Sequence, residues 1–328
     1  MHISLHCFLL CTAGLLSSWQ LGCSPTATDT EDSLSVEDSS MVEEVSTRAL
    51  TKENPFPYKL EEPLSKVKLP KRLTEISGLS YVAPQEVVLV QDEKGKIYHY
   101  DLKNDSILHV HDFGKGGDYE GVETLGDQAF VLRSDGDVYH VDDWTVDSDD
   151  AEKVETILTD RNDTEGLGLL ASQNLLLIAC KAEPNYDGNS LSYKRAVYAY
   201  DIKKKRVIPQ PFLVIDLKEI KKRMKQSALT RFAKDFASTF DPAGDRSFQP
   251  SGLAVHPLTG DFYIIATAGK LLVVLDEQKK IKYVQTLDEE TFKQPEGICF
   301  GPDGTLFISN EGRGGRGNVL QFSYLAAE

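Results

Sequence analysis

The chain has 328 residues, enough for one large domain or two ordinary ones. It carries 51 acidic against 36 basic residues and a formal charge of −15, which argues against nucleic acid as a partner because such a partner needs a basic face. An acidic surface is compatible with a bound cation, and it also keeps a protein soluble.

The N-terminal stretch has the pattern of an export signal. Residues 5–18 form an apolar run that is too short to span a bilayer but has the length of a signal-peptide core. The run ends in Gln20-Leu21-Gly22-Cys23, which resembles the lipobox of bacterial lipoproteins. We therefore predict a signal peptide over 1–22 and a lipid on Cys23, with plain secretion as the alternative. Residues 23–55 are acidic and lack enough apolar surface to fold, so they are predicted to be a disordered tether.

One short phrase recurs through the rest of the chain: Ser or Glu, then Gly, then an apolar residue. Its five copies begin at Ser77, Glu120, Glu165, Ser251 and Glu296. Successive copies lie 43 or 45 residues apart, except for one interval of 86. A fixed period of this size is typical of propeller blades or of a solenoid.

Short apolar runs separated by turn signals follow each phrase, as expected for a four-stranded blade. In the first copy they cover 76–82, 86–91, 96–102 and 107–113. The fifth copy supplies only three such runs. A strand-like stretch at 58–70 precedes the first copy and would provide the missing strand, closing the ring so that no sheet edge is left open. We place the propeller domain over 56–328.

The interval of 86 residues leaves room for either a sixth blade or an insertion. Over 217–240, apolar residues recur every three or four positions, and lysines and arginines occupy the opposite side. This pattern predicts an amphipathic helix. We therefore predict an all-β, five-bladed propeller with one helical insertion, and keep six blades as the alternative. The basic face of the helix could contact a membrane, or the helix could simply pack on the propeller.

Five cysteines are present, but only Cys180 and Cys299 lie in the part that is predicted to fold. They fall on different strands of their repeats, which favours two buried thiols over a disulfide. No spacing of Cys and His is typical of a zinc site.

The five phrases in this order resemble the SdiA-regulated family of bacterial extracytoplasmic propellers, which is itself similar to NHL-repeat propellers. The resemblance covers residues 58–324 and rests on Glu75-Ile76-Ser77-Gly78-Leu79, Tyr119-Glu120-Gly121-Val122, Thr164-Glu165-Gly166-Leu167, Gln249-Pro250-Ser251-Gly252-Leu253 and Gln294-Pro295-Glu296-Gly297. It implies a five-bladed propeller with a calcium site and no established activity. The sequence departs from the family at Thr267-Ala268-Gly269, where polar or acidic residues are usual, and in the glycine-rich run 312–317.

Residues at one repeat position form a ring around the channel of a propeller. The predicted ring contains Ser77, Glu120, Glu165, Ser251 and Glu296. Three glutamates about 5 Å apart would repel by roughly 3 kcal/mol per pair at an effective dielectric near 20. A cation, protonation or basic neighbours could relieve this repulsion. Calcium fits better than magnesium, and zinc or iron is disfavoured because no His recurs in the ring. Alternatively, these residues only pin neighbouring blades through hydrogen bonds.

Other acidic or polar residues are predicted near the same mouth of the channel. Glu75 precedes the first phrase by two residues, and Asp92, Asn310 and Glu311 lie at the ends of second strands, with Asp92 and Asn310 taken as equivalent. The predicted metal ligands are Glu120, Glu165, Glu296, Glu75, Asp92 and Glu311. The predicted channel ring is completed by Ser77, Ser251 and Asn310.

The sequence is compatible with three functions. The first is a calcium-binding module or scaffold held in the cell envelope by a lipid anchor, which takes a small molecule or a protein at the channel mouth. The second is a metal-dependent hydrolase acting on a phosphoester or a lactone at the same mouth. The third is a structural interaction domain without a metal. No catalytic residue is assigned, because no nucleophile elbow or phosphate loop is present.

Overall fold

In the computed structural model, which describes residues 55–147, 151–185, 192–226 and 247–326, the strands form five antiparallel sheets. The predicted signal peptide, Cys23 and most of the predicted tether lie outside these residues. The described residues belong to one compact unit that spans Asn54–Glu328. None of their helices has the length and apolar character needed to cross a membrane.

Each sheet is one blade of a five-bladed propeller, and its innermost strand carries one copy of the repeated phrase. The strands in chain order are β1 (Ser65–Lys68), β2 (Ile76–Ala83), β3 (Glu86–Gln91), β4 (Lys94–Asp101), β5 (Ser106–Asp112), β6 (Tyr119–Leu125), β7 (Gln128–Arg133), β8 (Val138–Val141), β9 (Ala151–Val154), β10 (Thr164–Leu170), β11 (Leu175–Cys180), β12 (Lys194–Asp201), β13 (Arg206–Val207), β14 (Leu213–Asp216), β15 (Gln249–Val255), β16 (Phe262–Ala268), β17 (Leu271–Leu275), β18 (Ile281–Thr286), β19 (Pro295–Phe300), β20 (Leu306–Asn310) and β21 (Asn318–Phe322). Blades 1, 2 and 4 are the consecutive sets β2–β5, β6–β9 and β15–β18.

Blade 5 is closed by a strand from the other end of the chain. β19, β20 and β21 are completed by β1, which pairs with β21 so that Ser65 lies opposite Gln321 and Lys68 opposite Asn318. Tyr58, just ahead of β1, is buried and donates a hydrogen bond to the Gly304 carbonyl oxygen at 2.7 Å. The predicted closing strand is therefore confirmed, and with it the count of five blades.

Blade 3 carries the irregular part of the fold. Its outer edge is split in two, because β13 and β14 both pair with β12. Helix α1 (Leu217–Gln226) follows β14 directly and buries Leu217, Ile220 and Met224 in the core between blades 3 and 4. The predicted helix is confirmed up to residue 226, and it packs on the propeller through its apolar face. The remainder of the predicted insertion, 227–240, lies outside the described residues.

The core lies in five apolar layers between neighbouring blades, because each central strand is covered on both faces. In β3, Val87 and Leu89 pack against blade 5, while Val88 and Val90 pack against blade 2. This double coverage explains the uninterrupted apolar run predicted to be a buried strand.

The two cysteines of the folded domain lie within these layers. Cys180 and Cys299 are both buried and free. As predicted, they form no disulfide with each other.

Candidate functional site

The five inner strands meet at the centre of the molecule, where the residues of all five phrases line a narrow channel. The glycine of each phrase leaves room for the close approach of neighbouring strands. A Cβ on Gly78 would lie 2.8 Å from the Gly121 Cα, and one on Gly252 would lie closer than 3.0 Å to the Glu296 carbonyl oxygen. The repeated Gly therefore marks the contact between one inner strand and the next.

The two serines of the ring tie neighbouring blades together. Ser77 Oγ donates a hydrogen bond to the Tyr119 carbonyl oxygen, and Ser251 Oγ donates one to the Pro295 carbonyl oxygen, both at 2.6 Å. Each bond joins a blade to the blade that follows it. These two serines therefore link neighbouring blades at the ring.

Above the channel lies a cavity of about 280 Å³. Its polar lining residues are Glu75, Ser77, Asp92, Glu120, Glu165, Lys181, Gln249, Thr267, Gln294, Glu296 and Glu311. All six carboxylates predicted as metal ligands therefore surround one space. Ser251 lines the narrow channel below it.

Asn310 does not line this cavity, and its predicted equivalence with Asp92 is wrong by one residue. The Asp92 N–H donates a hydrogen bond to the Glu75 carbonyl oxygen. In blade 5, the Glu311 N–H donates the equivalent bond to the Gln294 carbonyl oxygen. Asp92 therefore corresponds to Glu311. Because side chains alternate along a strand, a shift of one residue turns Asn310 to the other face. There it is fully buried, and its Nδ2 donates to Asn318 Oδ1 at 3.2 Å.

The cavity also contains a lysine that was not predicted from the sequence. Lys181 Nζ forms an ion pair with Glu165 Oε1 and lies 3.5 Å from Asp163 Oδ2. Lys181 follows β11 at the position that Asp92 and Glu311 occupy in their blades, since its N–H donates to the Asp163 carbonyl oxygen at 2.8 Å. An alignment of the blades at this turn position would have identified Lys181. Counting residues from the glycine of the phrase does not identify it, because the β10–β11 hairpin contains the 3₁₀ turn Ala171–Gln173.

Burial and mutual repulsion raise the pKa values of two glutamates of the ring, Glu120 and Glu296. Burial, followed by the charges of Glu165 and Asp118, raises the pKa of Glu120 well above its ordinary value. Burial and the Glu165 charge do the same to the pKa of Glu296, whose Oε1 accepts a hydrogen bond from Thr267 Oγ1 at 3.4 Å. The ring thus needs positive charge in order to be fully ionised.

On the side of blades 5 and 1, none of the described residues that line the cavity is a lysine, although the charge of Arg313 acts on Glu311. Burial and then the charge of Glu75 raise the pKa of Asp92 to about 6, and burial also raises the pKa of Glu311. Asp92 Oδ1 is buried and has no hydrogen-bond partner. An orphaned, buried carboxylate oxygen can coordinate a cation or accept a hydrogen bond from an ordered water.

A further acidic side chain that was not predicted from the sequence lies one layer below the ring. Glu123 is buried; its Oε2 accepts a hydrogen bond from Ser80 Oγ at 2.7 Å, and its Oε1 accepts one from the Leu169 N–H at 3.1 Å. It therefore links blades 1, 2 and 3. Burial raises the pKa of Glu123 to about 8.

We expect the stability of the protein to fall as pH rises from about 6.5 to above 8, a range in which the buried His140 and His256, whose pKa values are lowered to about 4, no longer titrate. Asp92 and Glu123 have pKa values of about 6 and about 8 in the folded state, above those of the unfolded chain. Each therefore contributes stability that is fully present at acidic pH and is lost as pH rises through the folded value. The shift at Glu123 corresponds to about 5 kcal/mol.

The measurement is the free energy of unfolding by urea between pH 4 and 9, on the wild type and on Glu123→Gln. The variant should show a shallower decline between pH 6 and 9, and what remains is the contribution of other carboxyl groups with raised pKa values, such as Glu296. Equal slopes for the two proteins in that range would contradict the assignment of the decline to Glu123.

No protein-family model matches the chain, and no curated protein matches it. Among solved structures, the chain is similar to glutaminyl cyclase from Myxococcus xanthus, with 9% identity, a TM-score of 0.48, and coverage of 81% of this chain and 97% of that one. It is also similar to the PQQ-bound aldose sugar dehydrogenase of Streptomyces coelicolor, with 13% identity, a TM-score of 0.48, and coverage of 80% and 97%. A streptogramin B lyase has 11% identity, a TM-score of 0.41, and coverage of 79% and 69%. Similarity at this level says nothing about activity or ligand.

Proposed function

We propose that the protein binds a hard divalent cation, calcium first, at the mouth of its propeller channel and serves as a binding or scaffold module. The observation that carries the proposal is the cavity, where six carboxyl groups face a single ammonium group. The raised pKa values of Glu120 and Glu296 mean that the ring disfavours its own ionisation when no cation neutralises it. A bound cation would reverse this penalty.

The chemistry of the lining favours calcium over other metals. The donors around the cavity are carboxylate, amide and hydroxyl oxygens, and no His or Cys is among them, which suits a hard ion rather than zinc or copper. Among the residues that the structure describes, no three His, Cys, Asp or Glu side chains already stand as a ligand set. Binding must therefore draw carboxylates inward, which the flexible coordination of calcium tolerates better than the strict octahedron of magnesium.

Calorimetric titration of the full chain with calcium tests the proposal. Each of Glu120→Gln, Glu165→Gln and Glu296→Gln should weaken the affinity about tenfold, and the triple variant should abolish binding. Glu152→Gln is the control, because Glu152 pairs with Lys205 on an outer strand away from the mouth. Unchanged affinity in the triple variant would remove the ring from the site.

We further propose that the module acts outside the cytoplasm as a lipid-anchored member of the SdiA-regulated family. The apolar run before Cys23 supports export, and all five phrases that carry the family resemblance lie on inner strands. A bacterial host labelled with palmitate should modify the wild type but not Cys23→Ala. Label on both proteins, or on neither, would contradict the anchor.

A second candidate function is metal-dependent hydrolysis of a phosphoester or a lactone at the same mouth. What favours it is that Glu120 and Glu165 line the same cavity, where burial raises the pKa of Glu120 so that it could supply a proton to a leaving group. A phosphoesterase and lactonase screen with and without a chelator tests this. Activity that the chelator and Glu120→Gln both abolish would favour the enzyme over the binding module.

A further inference from the structure

Lys181 makes the two sides of the cavity chemically different. On the blade 3 side, its ammonium group contacts Glu165 and lies 3.5 Å from Asp163 Oδ2. On the side of blades 5 and 1, the same turn position carries Asp92 and Glu311, which have no basic partner among the described residues that line the cavity. The blade 3 side of this acidic site thus contains a positive charge of its own, the Lys181 ammonium group.

The ion pair between Lys181 and Glu165 has the features of a contact that can separate. Burial alone would lower the pKa of Lys181, but Glu165 and Asp163 raise it above its ordinary value, so the group stays charged. Its side chain is 31% exposed and ends in the cavity rather than in the apolar layers. The four-carbon stem of lysine is flexible, which lets the ammonium leave Glu165 without disturbing the backbone.

We infer that Lys181 is a resident counter-ion of this site and that a divalent cation binds by displacing its ammonium from Glu165. The inference rests on the proposed function, since it concerns the same cavity. An ammonium and a divalent ion on the same Glu165 carboxylate repel each other, which favours the departure of the ammonium when the ion binds. Cation binding is then an exchange, and the affinity is lowered by the lysine that must move.

Two variants and two measurements test the exchange. Lys181→Met keeps the length and apolar stem of the side chain and removes the charge. Lys282→Met is the matched control, because Lys282 is a similarly exposed lysine, paired at 2.7 Å with the buried Asp261 outside the cavity. In calorimetric titration of the full chain with calcium, Lys181→Met should bind about tenfold more tightly than the wild type. Lys282→Met should bind like the wild type.

The second measurement follows the amine itself. Acetylation with a water-soluble reagent, read by peptide mass spectrometry, should modify Lys181 slowly without calcium and faster at saturating calcium, while Lys282 reacts at one rate throughout. Glu165→Gln should expose Lys181 to the reagent without any calcium. These results are specific to an ion pair that opens on binding.

The outcomes separate this inference from the proposed function. Calcium binding by the wild type with unchanged or weaker binding by Lys181→Met, or with Lys181 still protected at saturation, overturns the exchange and leaves the site standing. Binding by Lys181→Met alone supports the counter-ion role and shows that calcium is not the ion of the wild type. Failure of both proteins to bind calcium overturns both proposals.

Discussion

A chain that begins at residue 71 is expected to lose its cooperative unfolding transition. It would lack β1 and three buried apolar side chains, Tyr58, Leu60 and Leu69. Full burial of each such side chain stabilises a fold by about 1.5–3 kcal/mol, so their loss together approaches the whole stability of a typical domain. The loss of β1 would also leave the edge of β21 unpaired, and an unpaired edge can form hydrogen bonds with strands of other chains and cause aggregation.

Thermal unfolding followed by circular dichroism, together with light scattering, measures the effect. A chain that begins at residue 55 is the matched control, because it retains Tyr58 and β1, and it should unfold cooperatively. An equal midpoint for the two truncated chains would show that β1 does not hold the ring closed. Tyr58→Phe gives a graded test, since it removes only the hydroxyl that bonds the Gly304 carbonyl oxygen and His256; a loss of about 1–2 kcal/mol is expected.

The second large effect is expected from adding a single methyl group at the centre of the propeller, where the inner strands meet. Gly252→Ala should lower the free energy of unfolding by about 3 kcal/mol, because the added Cβ meets the Glu296 carbonyl oxygen of the next inner strand. That oxygen belongs to backbone held from both sides, so it cannot move aside as a flexible side chain would. The result should be a lower urea midpoint with an unchanged slope.

Gly114→Ala is the control for this prediction. The nearest atom to a Cβ at Gly114 is the Tyr119 hydroxyl oxygen at 3.7 Å, an ordinary contact. Its effect should stay within about 0.5 kcal/mol. Equal losses for the two variants would mean that close packing of backbones at the hub is not the reason for the repeated glycine.

The blades were predictable because one short phrase marks the contact between neighbouring inner strands in all five of them. Gly78 and its four counterparts mark where inner strands touch, and the apolar run Val87–Val90 marks a strand covered on both faces. The role of β1 followed from the shortage of one strand in blade 5. These features depend on backbone contact and strand period, which are visible in sequence.

The cavity was predictable only in part. The carboxylates were found because they lie in or beside the phrase, whereas Lys181 lies at the end of a hairpin of different length. Asn310 was misplaced because the side-chain period of a strand is two, so that an error of one residue reverses the face. The positions of charges at the ends of hairpins depend on register, which counting along the sequence does not give.

The seam between β1 and β21 has a consequence for the timing of folding. Ser65 Oγ donates a hydrogen bond to Gln321 across 256 residues of chain, so the circle cannot be completed on the ribosome before residues 318–322 have emerged. Until then the nascent chain has at most four complete blades, and β1 lacks β21 as its pairing strand. Contacts between such distant segments form slowly, so closure of the ring is expected to be a late step of folding.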